Sequence, residues 1–143
     1  MRLRPSPALV VAGIALFVAL GGSAFAVSQA AQPRCAPGAV RGFAAVTGIP
    51  SQGIGNIPGQ FTSNRAYFSR RFNCTGGATQ VRRTNTGVYE VRFPGNGAAT
   101  AVVSAPVGFT AAVSPLPGGV FQVGLYVIGR NDVADVPFML VAV

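Results

Sequence analysis

Thr79-Gln80-Val81-Arg82-Arg83-Thr84-Asn85-Thr86-Gly87-Val88-Tyr89-Glu90-Val91-Arg92-Phe93 is the stretch that decides the fold. Two strand-like runs flank Asn85-Thr86-Gly87, a tight connection of hairpin type. In the second run Tyr89, Val91 and Phe93 point one way and Val88, Glu90 and Arg92 the other, the period of two that a half-buried strand requires. The first set is expected in the core and the second in solvent.

The same reading extends in both directions. Residues 39–47 give a first strand around Val40, Phe43 and Val46. Residues 65–72 alternate, with Ala66, Phe68, Arg70 and Phe72 on one face and Tyr67, Ser69 and Arg71 on the other. Between them, residues 48–60 carry Gly and Pro too densely for regular structure, yet Ile49, Ile54 and Ile57 would be wasted in solvent. An ordered loop laid over the end of a sheet is expected. Downstream, residues 98–104, 107–113, 120–128 and 136–143 read as strands, separated by Pro106, by an emphatic turn at 114–119 and by a turn at 129–132. Residues 120–128 are apolar enough to be buried on both faces. About eight short strands, closely spaced turns and no helical periodicity after the N-terminus mean an all-β fold: an antiparallel β-sandwich or jelly-roll-like domain.

The N-terminus differs in kind. Arg2 and Arg4 precede an apolar run of 13 residues, 8–20, followed by Gly21-Gly22 and the small-x-small signal Ala24-Phe25-Ala26. That order is a secretory signal peptide with processing after Ala26. The run is short of the ~20 residues that span a bilayer, so a retained anchor helix is the lesser alternative. In either case residues 31–143 face outward. The organisation is thus a signal segment at 1–26, a linker at 27–38 and a β-sandwich domain at 39–143, either secreted or held at the cell surface through the N-terminal segment alone.

The net charge of +8 reflects few acids, not many bases. All 11 basic residues are Arg, and the acids are Glu90, Asp132 and Asp135. Losing Arg2 and Arg4 leaves nine arginines against three acids, a charge of +6. Cys35 and Cys74, the two cysteines of an exported chain, are expected to form a disulfide. Closing that loop is worth about 4 kcal/mol in the chain-entropy picture.

The leader from Pro7 to Ala24, the strand Gly87-Val88-Tyr89-Glu90-Val91-Arg92-Phe93 and the closing Asp135-Val136-Pro137-Phe138-Met139-Leu140-Val141-Ala142-Val143 resemble uncharacterised exported proteins of high-GC Gram-positive bacteria. Members often carry further cysteines and a more polar closing strand, which this chain lacks. The resemblance implies placement outside the cell and no particular activity. The Gly87-x-Tyr89 strand and apolar C-terminus are also loosely similar to C1q-like and tumour-necrosis-factor-like jelly rolls, an analogy that implies a homotrimer.

Chemistry is sparse. The chain has no His, which removes Ser-His-Asp and Cys-His catalysis and the commonest metal ligand. Paired-carboxylate chemistry would have to use Glu90 with Asp132 or Asp135, and a cation site would need Asp132 and Asp135 with Asn131. Neither is favoured; no enzyme, metal or cofactor is expected, and a surface ion pair of Glu90 with Arg92 is the simpler reading. Arg70, Arg71, Arg82, Arg83 and Arg92 fall on three strands expected to be neighbours, with Arg71 and Arg92 facing away from the core. They are the candidate ligand-binding residues, suited to phosphate or carboxylate. Two functions follow: a non-enzymatic structural or adhesive cell-surface domain, assembled as a trimer, or a secreted module binding an anionic surface polymer or glycan. Export argues against nucleic acid as a partner.

Overall fold

The computed structural model describes residues 35, 36, 38–130 and 132–143. The expected leader 1–26, its processing site at Ala26 and the linker up to residue 34 lie outside the described residues. Eight strands follow: β1 (Gly42–Val46), β2 (Phe68–Asn73), β3 (Gln80–Asn85), β4 (Val88–Arg92), β5 (Ala101–Ser104), β6 (Phe109–Leu116), β7 (Val120–Val127) and β8 (Phe138–Ala142). They form two four-stranded sheets, ordered β2-β1-β8-β5 and β3-β4-β7-β6, and every pairing is antiparallel. The protein is an all-β sandwich. Its pairing is nested: β1 with β8, β4 with β7, and β5 in contact with β6 where the sheets meet. Strands β2 and β3 add at the outer edges beside their sequence neighbours β1 and β4.

Side-chain size divides between the layers. The second sheet sends Tyr89, Phe93, Phe121 and Leu125 inward, all essentially buried. The first sheet answers with Gly42, Ala44 and Ala142 at its centre, and with Val46, Phe138 and Leu140 where there is room. A Cβ on Gly42 would lie 2.6 Å from Cδ1 of Phe93. Large against small is how two flat faces interlock at core density. Tyr89 and Phe138 approach at 5.5 Å between ring centres, and Phe93 meets Phe121 edge-on at 6.3 Å.

The hairpin expected at residues 79–93 is β3–β4, with Tyr89, Val91 and Phe93 inside. Three other expectations need correction. Residues 65–67 are a 3-10 turn, not strand, because the Asn64 side chain accepts the Ala66 N–H at 3.1 Å and curls the chain there. Residues 114–116 belong to β6, with Pro115 opposite Phe121. Proline is tolerated on an edge strand, where its missing N–H faces outward, so the turn shrinks to 117–119. Strand β7 is buried mainly on one face: Phe121, Val123 and Leu125 are inside, whereas on the other Gln122 and Tyr126 are exposed and Val120 is covered at the strand's start.

The loop at 48–60 is ordered, and Ile54 and Ile57 join the core. Its continuation runs along the free edge of β3. Arg83 donates its N–H to the Pro58 carbonyl at 3.0 Å, and Thr62 and Val81 exchange two backbone hydrogen bonds of 2.9 Å. An edge that would otherwise offer unpaired groups to another chain is thereby covered.

Candidate functional site

The five candidate arginines do not form one patch. Strand β2 lies in the first sheet, β3 and β4 in the second, and the guanidiniums separate into three settings.

Arg83 closes one end of the sandwich. Its Nη2 and Nε donate to Asp135 Oδ2 and Oδ1 at 2.7 and 3.1 Å, the paired geometry that Arg makes best. Asp135 Oδ1 also accepts the Tyr89 hydroxyl at 2.6 Å and the Gly87 N–H at 2.7 Å. Gly87 has a positive φ of 64°, and a Cβ there would collide with Val133 and the backbone of Ala134 and Leu125. Burial alone would push the Asp135 carboxyl upward, but hydrogen bonds from Arg83, Tyr89 and Gly87 outweigh it and hold the group below its ordinary value. Burial first, and Asp135 second, push the Tyr89 hydroxyl far above the usual phenol range. The bond to Asp135 likewise raises Arg83. Every polar group of this cluster is bonded within it, and together they fasten the hairpin to the segment that leads into β8.

Arg82 and Arg92 occupy the outer face of the second sheet. Arg82 pairs with Glu90 across the hairpin at 2.7 Å, so the expected Glu90–Arg92 pair is corrected: the partner is Arg82. Glu90 is also buried, not solvated. Phe61 lies over both arginines, 4.5 Å from the Arg82 guanidinium carbon and 4.0 Å from that of Arg92, a cation–π arrangement that covers the pair.

Arg70 and Arg71 lie on β2. Its register slips between Ala45 and Val46, which face Arg70 and Phe68, leaving Ser69 as the extra residue of a bulge. Arg71 therefore falls opposite core-facing Ala44, on the inner side of the sheet rather than the outer one expected for it. It leaves through the open margin of the sandwich, donates to the Ser63 and Thr79 carbonyls at 2.6 and 3.2 Å, and stacks 5.2 Å from the Phe68 ring. Arg70 points outward. With Arg65, which the sequence reading passed over, Arg70 and Arg71 line a cleft of about 230 Å³.

The surface the sequence reading missed is the outer face of the first sheet. One row across it is Phe72, Phe43, Val141 and Val102; the next is Arg70, Ala45, Met139 and Ser104. Val102 is 70% exposed, Met139 48% and Phe72 43%. A groove of about 310 Å³ opens beside Met139, between Pro106 and Pro137. The opposite outer face carries Arg82, Glu90, Gln122 and Ser114 in one row. The first outer face is mainly apolar, whereas the second mixes polar residues with the exposed Leu116 and Tyr126. The sequence signal was the unbroken apolar run of β8, in which both alternate sets are hydrophobic.

Cys35 and Cys74 are bonded, with Cα atoms 5.3 Å apart. Cys74 directly follows β2, so the bridge ties the start of the domain to that strand. Among the described residues no three His, Cys, Asp or Glu gather at one point. Compared with known proteins, the chain matches no family model, no curated protein and no solved structure.

Proposed function

We propose that the chain is an exported, non-enzymatic β-sandwich module with a structural or adhesive role at the cell surface, and that it docks through the outer face of the first sheet. The observation that carries this reading is the outward-facing row of Phe72, Phe43, Val141 and Val102, exposed at Phe72 and Val102 and half-buried between them, with exposed Met139 beside it. Contiguous apolar surface of this kind, bordered by polar groups such as Arg70 and Ser104, marks an interaction site. The Cys35–Cys74 bond supports an oxidising compartment. The engaged carboxylates of Glu90 and Asp135 support a role without acid–base chemistry.

The second reading, an anionic polymer held by arginines, draws on the cleft between Arg65, Arg70 and Arg71. Arg82 and Arg83 contribute little to it, since their partners are internal. Introducing Val102→Asp with Met139→Asp places charge on the docking face without touching the core. Sedimentation with cell envelopes should then show loss of envelope binding, and light scattering the loss of any self-association made through this face, a homotrimer included. Unchanged association in a folded double variant would sink the reading.

A further inference from the structure

The apolar face and the arginine cleft are one continuous surface. Ser69, the extra residue of the β2 bulge, borders both the groove beside Met139 and the cleft between Arg65, Arg70 and Arg71. Hydrocarbon-compatible and anion-compatible surface therefore meet along a single strand. Arg71 is fixed there by two carbonyls and by Phe68, so the cleft is partly preorganised.

The acids lie elsewhere. Glu90 is bonded to Arg82 on the other outer face, Asp135 to Arg83 at the end of the sandwich, and the Asp132 carbonyl to Val127 of the second sheet. The side that presents Phe72, Val102 and Met139 thus carries arginine alone. We infer that the occupant of this face is the surface of an anionic lipid bilayer, a conclusion that rests on the docking role proposed above. Phe72, Val102 and Met139 enter the boundary between headgroups and acyl chains, while Arg65 and Arg70 meet lipid phosphates. Charge complementarity favours this occupant over a second copy, because in any face-to-face orientation of two copies no acidic side chain on the face meets Arg65 and Arg70.

The chain contains no Trp, so a single introduced indole reports its own surroundings. Val102→Trp on the apolar face and Gln122→Trp on the polar face are prepared in the full chain and mixed with vesicles of brominated phosphatidylglycerol or brominated phosphatidylcholine. Strong quenching is expected for Val102→Trp with phosphatidylglycerol, little with phosphatidylcholine, and none for Gln122→Trp. Adding Arg65→Gln and Arg70→Gln to Val102→Trp should weaken phosphatidylglycerol binding about thirtyfold. Because each reporter shares the same N-terminal segment, binding through that segment alone would treat both reporters alike and overturns the assignment. Equal quenching in the two lipids also overturns it. Absent quenching, with self-association still abolished by Val102→Asp and Met139→Asp, overturns the lipid assignment and leaves a docking face that a second copy fills. Absent quenching with no effect of those charges removes both conclusions.

Discussion

The hydroxyl of Tyr89 donates to Oδ1 of Asp135 over 2.6 Å, joining β4 to the connection that leads into β8 across 46 residues of chain. Asp135 also holds Arg83 and the Gly87 N–H, so one carboxylate fastens the hairpin to the closing strand of the other sheet. Gly55 of the 48–60 loop lies against it, where a Cβ would come within 3.1 Å of Oδ2.

Tyr89→Phe keeps the ring against Phe138 and removes only the donor. It should cost about 1–2 kcal/mol in urea unfolding, the net worth of a hydrogen bond to a charged group that is not fully buried. Asp135→Asn should cost more, because Arg83 then loses its carboxylate. Wild-type stability in Tyr89→Phe would show that the hydroxyl contributes nothing.

Stability should fall at both pH extremes, with opposite signs. Asp135 is held below its ordinary value in the fold, so the folded state takes up its proton less readily than the unfolded chain. That contribution is complete above about pH 4 and is lost as pH falls through the folded value. Tyr89 is raised, so its contribution is complete below about pH 10 and declines as pH climbs toward the folded value. Asp135→Asn should flatten the acid limb in a urea series and keep an alkaline one, since burial is the larger cause of the Tyr89 shift.

Gly42→Ala tests the large-against-small packing. The new methyl would sit 2.6 Å from Phe93, which must move within a filled core. A loss of about 1–3 kcal/mol in chemical unfolding is expected. Phe93→Leu in the same chain should recover part of it, whereas additive losses would mean that the two positions do not meet.

Replacing Cys35 and Cys74 together by Ser should lower stability by about 2–4 kcal/mol without altering the sheets. Calorimetry gives the size of the loss, and an unchanged far-ultraviolet circular dichroism spectrum would confirm that the strands remain. Collapse of the β signal would instead make the bridge a condition of folding.

What could be read from the chain depended on how far apart the partners were. Tyr89, Val91 and Phe93 are legible as core because their alternation and turn are local. The loop isoleucines were likewise legible, since Ile54 and Ile57 gain only by burial. The β2 bulge was not, because a single unpaired Ser69 leaves no trace in composition while reversing which residues face inward. Pro115 read as a turn because nothing local reveals that β6 is an edge. The same distance effect governed the site. Arg83 and Asp135 lie 52 residues apart and nothing in either neighbourhood names the other. The apolar outer face had one legible component, β8, and three that appear only when β2, β1 and β5 are laid beside it.

The bridge from Cys35 to Cys74 also sets how the domain would carry tension. A pull entering through the segment before Cys35 and leaving at Val143 has a covalent shortcut across the sulfurs, so the 38 residues between them are slack. Strands β1 and β2 lie inside that slack loop and are not themselves stretched. The load passes to the hairpin and to β8, whose hydrogen bonds to β1 and β5 must yield first. A tethered domain wired in this way would surrender its last strand under force while its first two stayed folded back on each other.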